Sequence, residues 1–332
     1  MTEARSGGLL RRLKVDTYLL LIVAMVVAAS LLPARGEAAI GFGWATKIAI
    51  GLVFFLHGAR LSREAVIGGL THWRLHLLVL AATFGLFPLL CLGLAALPAA
   101  ITPPALAGGI VFLGCLPSTI QSSIGFTVIA RGNVAAAVAA ASASNLLGIV
   151  ITPLLVGVLL HAQGAISAGS AWAIVLQLLA PFVGGQVLRR WVGGWVTRHA
   201  RLVQIVDRGS ILLVVYTAFS GAVVGGVWSQ IGALDLFRLL VLCGLLLGAV
   251  LAATFFTARA LGFAKPDEIA IVFCGSKKSL ASGVPMAGVL FPAATAGLAL
   301  LPLMLFHQIQ LMVCAVIAQR YAKRADLQPV NG

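Results

Sequence analysis

The chain has 332 residues, 61% of them hydrophobic and only 10% charged, with a mean hydropathy of +1.07. A soluble domain carries about a quarter charged residues, so an ordinary water-soluble fold is excluded. The formal charge of +14 would suggest nucleic acid in a soluble chain, but here the basic residues lie between apolar runs, which is the signature of membrane topology, so no nucleic-acid partner is expected.

A membrane span needs about 20 mainly apolar residues. Ten runs meet this, at 17–34, 44–60, 75–97, 104–131, 133–160, 171–189, 209–230, 235–258, 266–291 and 296–319. The first is followed by many others, so it reads as a first span and not as a removable signal peptide. The sequence therefore predicts an all-α polytopic membrane protein with ten transmembrane helices, with the bilayer as its first partner.

The basic residues fix an orientation. Arg5, Arg11, Arg12 and Lys14 precede span one, and Arg60, Arg63 and Arg74 follow span two. Arg131 follows span four, Arg189, Arg190, Arg198, Arg201 and Arg208 follow span six, and Arg259 and Lys265 follow span eight. Arg320, Lys323 and Arg324 follow span ten. All of these share one side, which predicts cytoplasmic N- and C-termini in a cell membrane. The Ala- and Arg-rich composition fits a bacterial inner membrane. The basic connection 189–208, with Trp191 and Trp195, reads as an amphipathic stretch lying on the inner surface.

Five spans followed by five spans means that a tandem unit enters the membrane in opposite orientations, the inverted-repeat plan of many secondary transporters. The units are expected at 1–160 and 161–332.

In span four, Pro117 removes a helical hydrogen bond, and Ser118, Thr119, Gln121, Ser122 and Ser123 crowd directly after it. Freed backbone groups at bilayer depth need internal partners or a wet cavity. Two readings stand: a discontinuous helix lining a site, or a kinked helix whose hydroxyls bond their own backbone. Span five carries Ser142, Ser144 and Asn145 among alanines, of which Asn145 is the candidate site residue. Helix–helix hydrogen bonding is the equal alternative there. The same pair of readings holds for His307, Gln308 and Gln310 in span ten.

Span nine contains Phe273-Cys-Gly-Ser-Lys-Lys-Ser-Leu-Ala-Ser-Gly283. Its Ser276, Lys277, Lys278 and Ser279 form a second small polar break, at the position matching span four in the other unit. Such a pair is the best sequence pointer to a transporter site. Two adjacent lysines in hydrocarbon are costly, and no Asp or Glu stands in the stretch 273–283 to match them. Adjacent residues point about 100° apart on a helix, so one is expected to face a cavity while the other caps a half-helix C-terminus.

Cys91, Cys115, Cys243, Cys274 and Cys314 all fall in apolar stretches and fit neither a disulfide framework nor a zinc site. No metal or other cofactor is expected. The chain has no G-x-x-x-x-G-K-[ST] for ATP, and no H-E-x-x-H or G-x-S-x-G for hydrolysis, so it does not read as an enzyme.

The stretches Phe54-Phe-Leu-His-Gly-Ala-Arg-Leu-Ser62, Ala130-Arg-Gly-Asn133, Leu147-Gly-Ile-Val-Ile-Thr-Pro-Leu-Leu155 and Phe273–Ala287 resemble the bile acid:sodium symporter superfamily, in its sodium/bile acid cotransporter 7 branch with bacterial relatives. The resemblance implies two inverted five-helix repeats with crossed, discontinuous helices 4 and 9. It implies a core domain of helices 3–5 and 8–10 and a panel domain of helices 1, 2, 6 and 7. Sodium-coupled members carry a glutamate and a glutamine in helix 9, which match Phe273 and Lys277 here. The Ser-Asn pair of helix 4 matches Ser122 and Ser123, and the hydroxyls of helix 5 match Ala137 and Ala141. The sodium site is thus degraded, and the ammonium of Lys277, or of Lys278, is expected to replace the ion. The function implied is a secondary transporter of a small solute, an organic anion because the nearby charges are positive, coupled to H+ or Na+ or to neither. The alternative from another class is a non-transporting membrane regulator of ion homeostasis on the same scaffold.

Overall fold

The structure is a computed structural model and describes residues 17–60, 72–161, 168–226 and 231–323. The basic residues before Thr17, Arg63 and Arg324 lie outside the described residues, as do residues 162–167, just past the expected repeat boundary between 160 and 161.

Among the described residues the chain is helical with no strand: α1 (Thr17–Leu31), α2 (Gly36–Arg60), α3 (Trp73–Ala81), a π-helical turn (Ala82–Leu86), α4 (Phe87–Ala95), α5 (Pro104–Cys115) and α6 (Ile120–Ile129), followed by α7 (Val134–His161), α8 (Ala168–Arg198), α9 (Ala200–Val224), α10 (Ala233–Ala260), α11 (Lys265–Gly275), α12 (Leu280–Leu290) and α13 (Ala293–Ala322). Among the described residues six uninterrupted runs are long and apolar enough to cross a membrane: α2, α3 through α4, α7, α9, α10 and α13. The pair α5–α6, bent by 63° at its break, makes a seventh. Large apolar side chains such as Trp44, Leu89, Val158, Leu245 and Phe256 remain exposed on the outer faces, as a lipid-facing surface requires.

Local chemistry explains the interruptions. Leu116 precedes a proline, which disfavours the α conformation, and it is extended at φ −74°, ψ 152°. That ends α5, and α6 starts only after Thr119, itself extended. The π turn has a similar origin. The Phe87 N–H donates to the Ala82 carbonyl, five residues back, and the next donor in line is Pro88, which has no N–H. The carbonyl of Thr83 is therefore left without a helical partner. No proline interrupts the break between α11 and α12; there Ser279 caps α12 by accepting from the Ser282 N–H at 3.1 Å.

The basic run 189–208 is helical except at His199 and mostly exposed, with Val196 and Val203 its buried residues. α8 continues through Arg198, and α9 begins at Ala200, so His199 alone separates them. The helix persists because it is packed: Val196 is buried in a cluster with Leu56, Ala59 and Val203.

Candidate functional site

The two breaks cross in contact. The Ser279 N–H donates to the Pro117 carbonyl at 2.9 Å, joining the second break directly to the first. Every carbonyl from 114 to 118 finds a partner outside its own helix. Gly114 and Leu116 accept from Lys278 Nζ, both at 2.7 Å. Cys115 accepts from Thr152 Oγ1 at 2.8 Å, and Ser118 accepts from the Asn145 amide. On the other strand of the crossing, Phe273 O accepts from Ser123 Oγ at 3.0 Å and Cys274 O from Ser118 Oγ at 2.6 Å. A backbone broken at this depth survives because its polar groups are satisfied in this way.

Lys278 is the centre of the arrangement. It is 0% exposed, and its three ammonium protons meet three backbone carbonyls: Thr83 at 2.8 Å, Gly114 and Leu116. The first is the carbonyl released by the π turn. The other two lie at the C-terminal end of α5, where the helix dipole favours a cation. The Phe87 ring closes the cage at 4.1 Å from Nζ. Gln310 of α13 fixes the Lys278 backbone from both sides, accepting its N–H and donating to its carbonyl, each at 2.9 Å.

Lys277 is equally buried but held differently. Its Nζ sits 3.9 Å from the Phe126 ring centroid and 5.7 Å from that of Phe273, and no nitrogen or oxygen accepts from it among the described residues. The Cys314 and Cys274 thiols are its polar neighbours.

A cavity of about 370 Å³ opens beside the crossing. One wall carries Thr119, Gln121, Ser142, Asn145, Ser279 and Ser282; the other carries Phe54, His57 and Arg60 of α2, Phe182 of α8 and Asp207 of α9. Asn145 ties the first wall together, donating to Ser118 O and Ala141 O and accepting from Ser282 Oγ at 2.7 Å. His57 Nε2 and Asp207 Oδ1 lie 3.5 Å apart across α2 and α9.

Of the candidate residues, Thr119, Gln121, Asn145 and Ser279 thus line the cavity. Ser118 and Ser123 are inside the crossing. Ser122 bonds Thr119 at 3.4 Å, and Ser276 returns to its own helix through Val272 O at 2.6 Å. The expectation that one lysine faces the cavity is corrected: neither is among the lining residues. Sequence reasoning missed Asp207, Ser282 and the side of α2 with His57 and Arg60. The last two stood inside the Phe54–Ser62 stretch, whose signal was available. Asp207 gave none, since it follows a run of arginines that reads as surface. The expectation that the charges near the site are all positive is therefore corrected by Asp207. Among the described residues no group of His, Cys, Asp or Glu side chains assembles to hold a metal ion.

Broken apolar helices crossing at a polar, lysine-bearing point beside a solute-sized cavity define a membrane transporter of the secondary type. The chain belongs to the SBF-like CPA transporter family, whose model matches residues 16–323. It is 58% identical to an uncharacterized protein of Pseudomonas aeruginosa, with 94% of each chain covered. It is 51% identical to YfeH of Escherichia coli K12, which bears a provisional symporter name, again over 94% of each. Sodium/bile acid cotransporter 7-B of Xenopus laevis is 30% identical, over 93% of this chain and 92% of that one. The protein is thus a multi-pass membrane transporter of a family without enzymes.

Proposed function

We propose that the protein moves a small organic anion across the cell membrane by alternating access, with a fixed lysine ammonium in place of a coupling sodium ion. The reading is carried by one observation: Lys278 Nζ is held by three backbone carbonyls where the two broken helices cross. Oxygen donors gathered around a buried point are what a hard cation requires. Here the covalent ammonium takes that place, so sodium has nothing to add there.

In this reading the chain forms ten transmembrane helices as two inverted five-helix repeats, 1–160 and 161–332. The pairs α5–α6 and α11–α12 are its discontinuous helices 4 and 9. The core comprises helices 3–5 and 8–10, and the panel comprises helices 1, 2, 6 and 7. Both termini face the cytoplasm of a bacterial inner membrane. The cavity lies between core and panel, so movement of one against the other would open it to alternate sides. Solute is recognised by the hydroxyl and amide wall from Thr119 to Ser282, with Arg60 and His57 opposite to receive an anionic group. Asp207 orients His57 and offsets part of that positive charge. Lys277, with no oxygen acceptor and only thiols as polar neighbours, is the group that can give up a proton without orphaning a carbonyl, which makes coupling to H+ the accompanying expectation.

Uptake of a panel of mono- and dicarboxylates into proteoliposomes tests this, with sodium and pH gradients imposed separately. The expected result is saturable uptake that ignores the sodium gradient and follows the pH gradient. Strict sodium dependence would overturn the lysine substitution. Absence of both uptake and counterflow for every solute would favour a non-transporting regulator.

A further inference from the structure

α2 and α8 meet backbone to backbone at Gly58 and Gly185. An added Cβ would lie 2.1 Å from the Phe182 carbonyl oxygen at the first and 2.0 Å from that of Phe55 at the second. Beside this contact the two helices leave a cleft of about 740 Å³, lined by Arg60, Arg189, Arg190, Gln186 and Thr197 with the backbones of Gly193 and Gly194. No acidic residue lines it, and none of the three arginines has a carboxylate partner among the described residues. Three guanidiniums in one concavity, without a carboxylate partner among the described residues, make a receptor for an oxyanion with several acceptor oxygens.

The surroundings say what carries that oxyanion. On α8, Trp191 is 58% exposed and Trp195 43%, and Val187 on the cleft wall is 63% exposed. The Arg190 guanidinium stacks 3.6 Å over the Trp191 ring. Exposed tryptophans beside basic residues are the furniture of the membrane–water interface. A soluble anion would have no use for the apolar rim, whereas an acyl chain would. We propose that this cleft binds the phosphate headgroup of an anionic membrane phospholipid, with Arg189 and Arg190 as its principal contacts. The site is separate from the solute cavity; Arg60 alone lines both.

The test uses the purified full chain and needs no transport. Thermal unfolding in detergent is followed while dioleoyl phosphatidylglycerol, dioleoyl phosphatidylcholine or inorganic phosphate is titrated in. Phosphatidylglycerol is expected to stabilise the wild type at lower concentration than phosphatidylcholine. Removing two surface guanidiniums in R189Q/R190Q should weaken that apparent affinity by about 10- to 30-fold. Gly194→Leu keeps every charge but fills the cleft, and its Cβ meets nothing nearer than Arg198 Nη2 at 4.0 Å, so the variant should fold and also lose the preference. Equal response to the two lipids, or a preference retained in both variants, overturns the proposal. Equal stabilisation by inorganic phosphate overturns its assignment to lipid.

Discussion

The two neighbouring lysines should answer differently to the same substitution. In Lys278→Met the aliphatic chain is kept, but the carbonyls of Thr83, Gly114 and Leu116 lose their donor at once. Each buried acceptor left unsatisfied costs about 1–3 kcal/mol. Against that stands relief from burying an ammonium, itself worth several kcal/mol. Removing one partner of a buried charged network costs about 3–5 kcal/mol on balance, and that is the loss expected here. In Lys277→Met the arithmetic reverses. No carbonyl is orphaned, because the polar neighbours of Lys277 Nζ are the thiols of Cys314 and Cys274, which tolerate apolar surroundings. The loss is the cation–π contact with Phe126, about 0.5–2 kcal/mol, and the gain is the same relief of desolvation. That variant should match or exceed the wild type. SDS-driven unfolding in mixed micelles, read by tryptophan fluorescence, measures both. Equal destabilisation of the two variants would refute the distinction between a caged and an uncaged lysine.

Other expectations follow from the same geometry. Gln310→Leu should destabilise by about 2 kcal/mol, since the N–H and the carbonyl of Lys278 both lose their partner; the same unfolding assay reads it. Asn145→Ala should cost about 1–3 kcal/mol, because Ser118 O loses its side-chain donor and the Ser282 hydroxyl, still bonded to Ser279 Oγ, loses its acceptor, and should also weaken solute binding at the cavity wall it supports. Pro88→Ala restores an N–H four residues after Phe84 and five after Thr83. A determined structure should show the π turn closing toward a regular helix and Thr83 O drawn away from Lys278. Gly185→Val places a side chain where the Phe55 oxygen is 2.0 Å from the added Cβ, so α2 and α8 must separate at a cost of about 3 kcal/mol or more, visible as a lower unfolding midpoint.

How much of this was readable beforehand depends on the range of the interactions. The break at Pro117 was legible because a proline acts on its own neighbours. The second break was legible through the cost of two charges and not through any backbone signal, since Ser276 to Ser279 contains no proline. That one lysine would cap a half-helix end could be argued from the dipole. Which lysine, and on which helix, could not: the three carbonyls around Lys278 lie 162 to 195 residues away in the chain. Pro88 was a local clue that went unused, because a free Thr83 carbonyl matters only once its distant partner is known. The composition of the basic run from Arg189 to Arg208 spoke for a surface, but not for its docking on α2, since Val196 and Val203 find Leu56 and Ala59 more than 100 residues away.

The central claim is that a covalent ammonium stands where an ion would otherwise bind. Binding of radiolabelled sodium to purified wild type and to Lys278→Ala, in sodium-free choline buffer, tests it most directly. The account predicts no saturable sodium site in the wild type and one site per chain in the variant, filled among the carbonyls of Thr83, Gly114 and Leu116. A saturable site in the wild type that persists unchanged in Lys278→Ala would contradict it.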